Sequence, residues 1–183
     1  MNKRYKIGLL MGLFFAVMPE GEAWSDHDGQ YVYVGGERQR RGRAEQIELV
    51  VYQISIVLRS FARERLISAC KLPQNINISS REKQLGIALI PLPMRWTSLD
   101  GNASTFLNVR GRKASIRRLR KGRTISEIVA EGRSQRLIDY RFDASSDRLD
   151  LRYTIRSPYL PQDVVYSLSY AKTGRTRTRR AQR

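Results

Sequence analysis

Leu149-Asp150-Leu151-Arg152-Tyr153-Thr154-Ile155-Arg156, then a Pro-containing joint at Ser157 to Pro161, then Val164-Val165-Tyr166-Ser167-Leu168-Ser169-Tyr170, is the stretch on which the fold turns. Apolar residues fall at every second position in both runs. Successive side chains of a strand point to opposite faces, so each run predicts a strand with one dry and one wet side. Tyr140 and Phe142 continue the dry face one strand earlier, and Asp139, Arg141, Arg148, Asp150, Arg152 and Arg156 lie opposite.

The same grammar extends backwards to Asn75. Short segments rich in Ile, Val, Thr and Tyr predict strands at 75–79, 85–92, 94–98, 105–109, 114–119, 124–131 and 134–142, before those at 149–156 and 164–170. Their joints, among them Asp100-Gly101-Asn102, Lys121-Gly122 and Gly132, are mostly long enough only for hairpins. Hairpins make sequence neighbours antiparallel, so the pattern predicts a meander. A further strand, Tyr31 to Val34, ends at Gly35-Gly36. Between it and the meander, from about residue 37 to 71, Ala44, Ile47, Val50, Val51, Ile54, Val57, Leu58, Phe61, Ala62, Leu66 and Ala69 recur at helical spacing. That predicts one long amphipathic helix or two with a bend, the β-branched middle being the weaker helix former. The fold class is thus mainly β: an antiparallel up-and-down barrel, or a strongly curved meander sheet, with the helical segment inserted after the first strand as a lid.

The chain begins with a basic head, Met1 to Lys6, an apolar run, Ile7 to Met18, and small residues at Gly21 and Ala23. These are the parts of a secretory signal peptide, with cleavage expected after Ala23 and a periplasmic or extracellular destination. An uncleaved anchor or a core helix is the other reading of the same run. One domain is expected over residues 24–171, followed by a basic, disordered tail at 172–183.

Of the 183 residues, 34 are Lys or Arg and 17 are Asp or Glu, a net charge of +17. Such a balance favours anionic partners, and guanidinium groups suit phosphate and carboxylate. Arg110, Arg112, Lys113, Arg117, Arg118, Arg120, Lys121 and Arg123 form the densest cluster and a candidate anionic-surface site; aromatic residues are sparse within it, which argues against sequence-specific nucleic-acid recognition. Cys70, the single cysteine, excludes an internal disulfide and reads as a buried, inert thiol. His27, the single histidine, sits in the polar segment 25–29, where Asp26 and Asp28 lack further ligands for a metal; a flexible terminus is expected there. Neither residue assembles a nucleophilic triad, and no cofactor or metal is expected. Glu127 and Glu131 alternate with Ile125 and Val129, so an acid or base facing a cavity and an outward ion-pair partner are both open.

Gly29-Gln30-Tyr31 on the first strand, one long connection and then a run of hairpins resemble the lipocalin and fatty-acid-binding-protein group of up-and-down barrels. Lipocalins carry Trp where Tyr31 stands, and the helical insertion is more like the fatty-acid-binding branch. That branch places Arg-x-Tyr near the end, whereas Arg152 and Tyr153 here are adjacent and face opposite ways. The resemblance implies a cavity for a small apolar or amphipathic ligand, with Tyr33, Tyr140, Phe142, Tyr153 and Tyr166 as lining candidates; the plainer reading of the same residues is that they fill the core. The expected function is that of an exported, non-enzymatic binding protein. The alternatives are a basic envelope protein docking on anionic lipid, lipopolysaccharide or another polyanion, and a carboxylate-dependent hydrolase or isomerase.

Overall fold

The computed structural model describes residues 27–108, 110–143 and 147–174. The expected signal peptide, Trp24 and residues 175–183 of the expected tail lie outside them. Ten antiparallel strands follow the expected meander: β1 (Gly29–Tyr33), β2 (Asn75–Arg81), β3 (Gln84–Leu89), β4 (Arg95–Ser98), β5 (Ser104–Leu107), β6 (Lys113–Lys121), β7 (Thr124–Glu131), β8 (Ser134–Asp143), β9 (Arg148–Arg156) and β10 (Val164–Gly174). The order across the sheet is β4-β3-β2-β1-β10-β9-β8-β7-β6-β5, so β1 pairs with both β2 and β10 and the two halves of the chain are knitted at its first strand. β10 extends to Gly174, where Thr173 Oγ1 donates to Gln30 O at 3.2 Å.

The sheet curls until its ends meet. Gly101 N donates to Arg118 O at 2.8 Å and Arg120 N to Leu99 O at 3.3 Å, which seats the end of β4 on β6 and leaves β5 outside the seam. The barrel is nearly closed, which removes most of the unpaired sheet edge.

Period-two patterning then sorts every strand. Ile76, Ile78, Leu85, Ile87, Ile125, Ile138, Tyr140, Leu149, Leu151, Tyr153, Leu168 and Tyr170 are buried inside, and Arg117, Arg141, Arg152 and Arg156 are exposed outside. Outside the barrel Gly86 faces Trp96 across β3 and β4; a Cβ there would meet Met94 Sδ at 2.8 Å and Trp96 Cε2 at 2.9 Å. The missing side chain is what lets the indole lie flat on the sheet, with the Arg81 guanidinium 4.1 Å above the ring.

The insertion is two helices, α1 (Gly36–Tyr52) and α2 (Arg59–Ala69), joined through a 3-10 turn at Ile56–Leu58. α1 ends within the β-branched run of Val50, Val51 and Ile54. Arg59 holds that end: its Nε donates to Ile54 O at 3.0 Å and its guanidinium to Tyr52 O at 2.7 Å, satisfying carbonyls the helix leaves open. The expected greasy face divides accordingly. Ile47, Val50, Val51 and Leu66 close one end of the barrel, whereas Val57, Leu58 and Phe61 are exposed, as are the small Ala44 and Ala69. A bend swings the middle of the pattern off the core. The opposite end is shut by His27, whose ring lies 4.4 Å from Phe142 while Tyr31 donates its hydroxyl proton to His27 O at 2.9 Å; the terminus packs here instead of trailing free.

Gly86→Val is expected to displace Trp96 and destabilise the fold by about 1–3 kcal/mol, the range for overpacking. Urea unfolding followed by tryptophan fluorescence measures both effects, and an unchanged midpoint and native spectrum would contradict this account.

Candidate functional site: the inner wall below the lid

Inward parity carries polar residues as well as apolar ones. Arg118 and Glu127, on neighbouring strands and each inside the barrel, are only 1% and 3% exposed at their side chains. Arg118 Nε donates to Glu127 Oε2 at 2.8 Å and Nη2 lies 2.6 Å from the same oxygen. Its Nη1 donates to Leu85 O at 2.7 Å, Arg95 O at 2.9 Å and Thr97 Oγ1 at 3.1 Å. One guanidinium from β6 therefore grips β3 and β4 from the far side of the seam.

Two further guanidinium groups lie on the lid side of this pair. Arg136 Nη2 is 3.9 Å from Glu127 Oε1, and its Nε is buried without a hydrogen-bond partner. Arg95 lies 3.6 Å over the Phe106 ring, across the gap between β4 and β5. Burial, then the Arg136 cation, pulls the Arg95 pKa below the ordinary arginine range; Arg118 adds to this and Glu127 opposes it. Below this cluster Tyr140 Oη approaches Glu127 Oε1 at 3.5 Å, and Tyr153 Oη is buried without a partner. Burial raises the pKa of both phenols well above normal, with Glu127 adding to it at Tyr140 and the Arg136 cation opposing it at Tyr153, so both stay protonated and each keeps a hydroxyl proton to donate.

The structure redistributes the sequence-derived sites. Tyr33, Tyr140, Phe142, Tyr153 and Tyr166 all face inward, but the last four are nearly sealed from solvent and belong to the packed interior. Tyr153 and Tyr166 stack at 5.0 Å, and Tyr33 meets Tyr170 edge-on at 5.7 Å with its hydroxyl on Gly36 O at 2.9 Å. The lower lumen is filled by side chains; towards the lid end the inward-facing Arg95, Phe106, Val129 and Arg136 are each half-buried.

The basic cluster does not form one patch. Arg118 is inside the barrel, because parity counted from Ala114 and Ile116 puts it on the dry face. Arg110, Arg112 and Lys113 lie at the lid end of β6, whereas Lys121 and Arg123 lie at its other end, about 25 Å away at roughly 3.3 Å per residue. Arg117 is exposed on the outer face and Arg120 is half-buried on the inner one. Glu127 combines the two open readings: it faces inward, yet it is an ion-pair partner.

Arg95, Thr97, Phe106 and Arg136 were not picked out from the sequence. Carrying the dry-face parity of Tyr140 and Ile138 back two residues would have found Arg136.

Two concavities lie outside the barrel. One of about 640 Å³ runs beside the start of α1 and includes Arg38, Gln39, Arg43, Arg148 and Ser169; another of about 620 Å³ crosses the outward residues of β7 to β10. In the first, Gln39 Nε2 donates to Ser169 Oγ at 2.9 Å and Gln39 Oε1 accepts from Ser169 N at 2.8 Å, which fastens α1 to β10.

No protein-family model matches the sequence, and no curated protein matches it. Solved structures share its fold. A REP1-NXSQ fatty acid transporter, lipid-binding protein 8 of Caenorhabditis elegans, and the Schistosoma mansoni fatty-acid-binding protein in complex with arachidonic acid align at 10%, 9% and 10% identity. Each alignment covers 82% of this chain and 98% of the other, with a TM-score of 0.51. The class defined by the architecture is the up-and-down barrel with a pair of helices after the first strand, the fold seen in these fatty-acid-binding and lipid-binding proteins. At such identity the likeness is one of fold.

Two outcomes follow. Glu127→Ala leaves Arg118 buried without its counter-charge and is expected to destabilise the protein by about 3–5 kcal/mol; a urea midpoint equal to wild type would contradict a structural role for the pair. Cys70 is fully buried, and burial pushes its thiol pKa up to about 11, with Arg43 and Tyr166 opposing. The folded protein therefore disfavours the thiolate. Stability from this group is complete below the unfolded thiol pKa and is lost as pH rises towards 11. Dithionitrobenzoate at mildly alkaline pH should label Cys70 only after denaturation; rapid labelling of native protein would contradict its burial.

Proposed function

We propose that the protein is an exported, non-enzymatic binding protein that holds a small amphipathic molecule at the lidded end of the barrel, its anionic end against Arg95 and Arg136. The observation that carries this reading is the charge imbalance on the inner wall. Arg95 and Arg136 stand on the lid side of Glu127, a carboxylate already held by Arg118, and Glu131, the next carboxylate on that face, lies 3.7 Å from Arg112. Uncompensated cations in a partly desolvated wall favour an anion, and charge-assisted hydrogen bonds from guanidinium to carboxylate or sulfonate are among the stronger ones. Phe106, Leu89 and Val129, half-buried beside them, offer the apolar surface that the rest of such a molecule needs.

The packing of Tyr140 and Tyr153 limits how deep a ligand reaches, so the site is a mouth under the lid. A binding role without turnover is supported by the engagement of Glu127 with Arg118. The periplasmic or extracellular address rests on residues 1–23.

The reading is tested with two fluorescent probes, anionic anilinonaphthalene sulfonate and neutral phenylnaphthylamine. Arg95→Ala and Arg136→Ala are each expected to weaken the anionic probe by roughly tenfold and to leave the neutral one unchanged. Equal affinities in wild type and both variants, or no binding of either probe, would overturn it.

A further inference from the structure

The exposed apolar surface is gathered at one end of the molecule. Among the described residues, every exposed large hydrophobic side chain except Leu119 belongs to the helices or to a strand end or loop on the lid side. The tip of the lid is the extreme case. Tyr52, Ile56, Val57, Leu58 and Phe61 are 75%, 76%, 84%, 54% and 59% exposed, and they are nearly continuous in sequence around the 3-10 turn. Three barrel segments at the same end add Ile90, Leu107 and Tyr159.

Cations flank the tip and are in excess along the helices. Arg59 sits 4.8 Å over the Tyr52 ring and Arg65 4.8 Å over Phe61. Residues 36–71 contain Arg38, Arg40, Arg41, Arg43, Arg59, Arg63, Arg65 and Lys71 against four acids, and Glu48 is spent on Arg63 in a two-pronged pair at 2.8 and 2.7 Å. Arg110, Arg112 and Lys113 stand at the same end.

We infer that the lid end docks on an anionic lipid bilayer, with the Ile56–Leu58 turn entering the headgroup and acyl boundary and Tyr52 and Phe61 lying at the interface. Three features point to a bilayer as the occupant. The apolar residues protrude from a helical turn and from separate loops, so a deformable planar partner meets them where a second rigid copy would have to match each one. Aromatic rings with arginines folded over them place an apolar body and a charge side by side, which is the arrangement an interface between hydrocarbon and anionic headgroups rewards. The excess of cations supplies attraction to anionic lipid. Among the described residues no helix is long and apolar enough to cross a membrane, so the contact is peripheral. It shares no residue with the inner-wall guanidiniums and stands or falls separately from the ligand reading.

The test is flotation of the purified protein with vesicles of phosphatidylcholine containing roughly one-third phosphatidylglycerol, beside pure phosphatidylcholine vesicles. The Ile56→Ser, Val57→Ser, Leu58→Ser triple variant is expected to lose binding by roughly tenfold or more while keeping the wild-type melting temperature, since these side chains make few contacts in the fold. Arg65→Glu is expected to weaken binding to the anionic vesicles selectively. In a Val57→Trp variant, brominated acyl chains should quench the reporter by comparison with the same variant on unbrominated vesicles. Equal binding of wild type and triple variant, no binding by wild type, or sedimentation showing a dimer that the triple variant abolishes would each overturn the inference, the last by assigning the tip to a second copy of the chain.

Discussion

One buried guanidinium closes this barrel. Ten strands curled from a meander have two free ends, and backbone pairing at the junction of β4 with β6 is short. Arg118 reinforces it from inside, reaching from β6 to carbonyls on β3 and β4 while its charge is balanced by Glu127 one strand further on. An isolated charge in that position would be strongly unfavourable, so the pair and its acceptors form a unit in which each part requires the others. A buried hydrophobic pair could fill the volume, but it could not donate to three acceptors across a seam.

The clasp also sets where chemistry is available. Because Arg118 consumes the carboxylate of Glu127, the remaining cations of the inner wall, Arg95 and Arg136, are left without an equal counter-charge. Because Tyr140, Tyr153 and Tyr166 pack the volume below, that imbalance is presented at the lid and not at the centre of the lumen. The lid has two unlike faces. Ile47, Val50, Val51 and Leu66 seal the barrel, and Arg59, by capping α1 at Tyr52 and Ile54, turns the following apolar residues outward. A ligand mouth and an apolar tip at one end of a molecule suit a protein that exchanges an amphipathic molecule with a membrane surface.

Period-two patterning made the strands legible. Each strand from β1 to β10 was visible between turn signals, the last three as clean alternation and most of the earlier ones as short runs rich in Ile, Val, Thr and Tyr, and the hairpin lengths dictated the meander. The helical insertion was legible as to place but not as to burial, since a three-and-four spacing marks an apolar face without saying what meets it. Arg118 was misplaced because it was read with the arginines around it in sequence, where composition dominates; its parity with Ala114 and Ile116 was the better guide. The alternation of the last strands singled out Tyr140, Phe142, Tyr153 and Tyr166 as inward-facing, but it had no means of measuring whether their rings leave space.

What the sequence determined by itself is therefore local: which segments are strands, which face of each is dry, where the chain reverses, and that a helical lid follows the first strand. These depend on side-chain period and turn chemistry between near neighbours. What only the tertiary structure decided is global: that the sheet closes through Arg118, that the lumen is filled below the lid, that Arg118 and Arg136 converge on one carboxylate, and that half of the lid's apolar pattern faces outward. Each of these depends on distances between residues far apart in the chain, which curvature sets and no local pattern encodes.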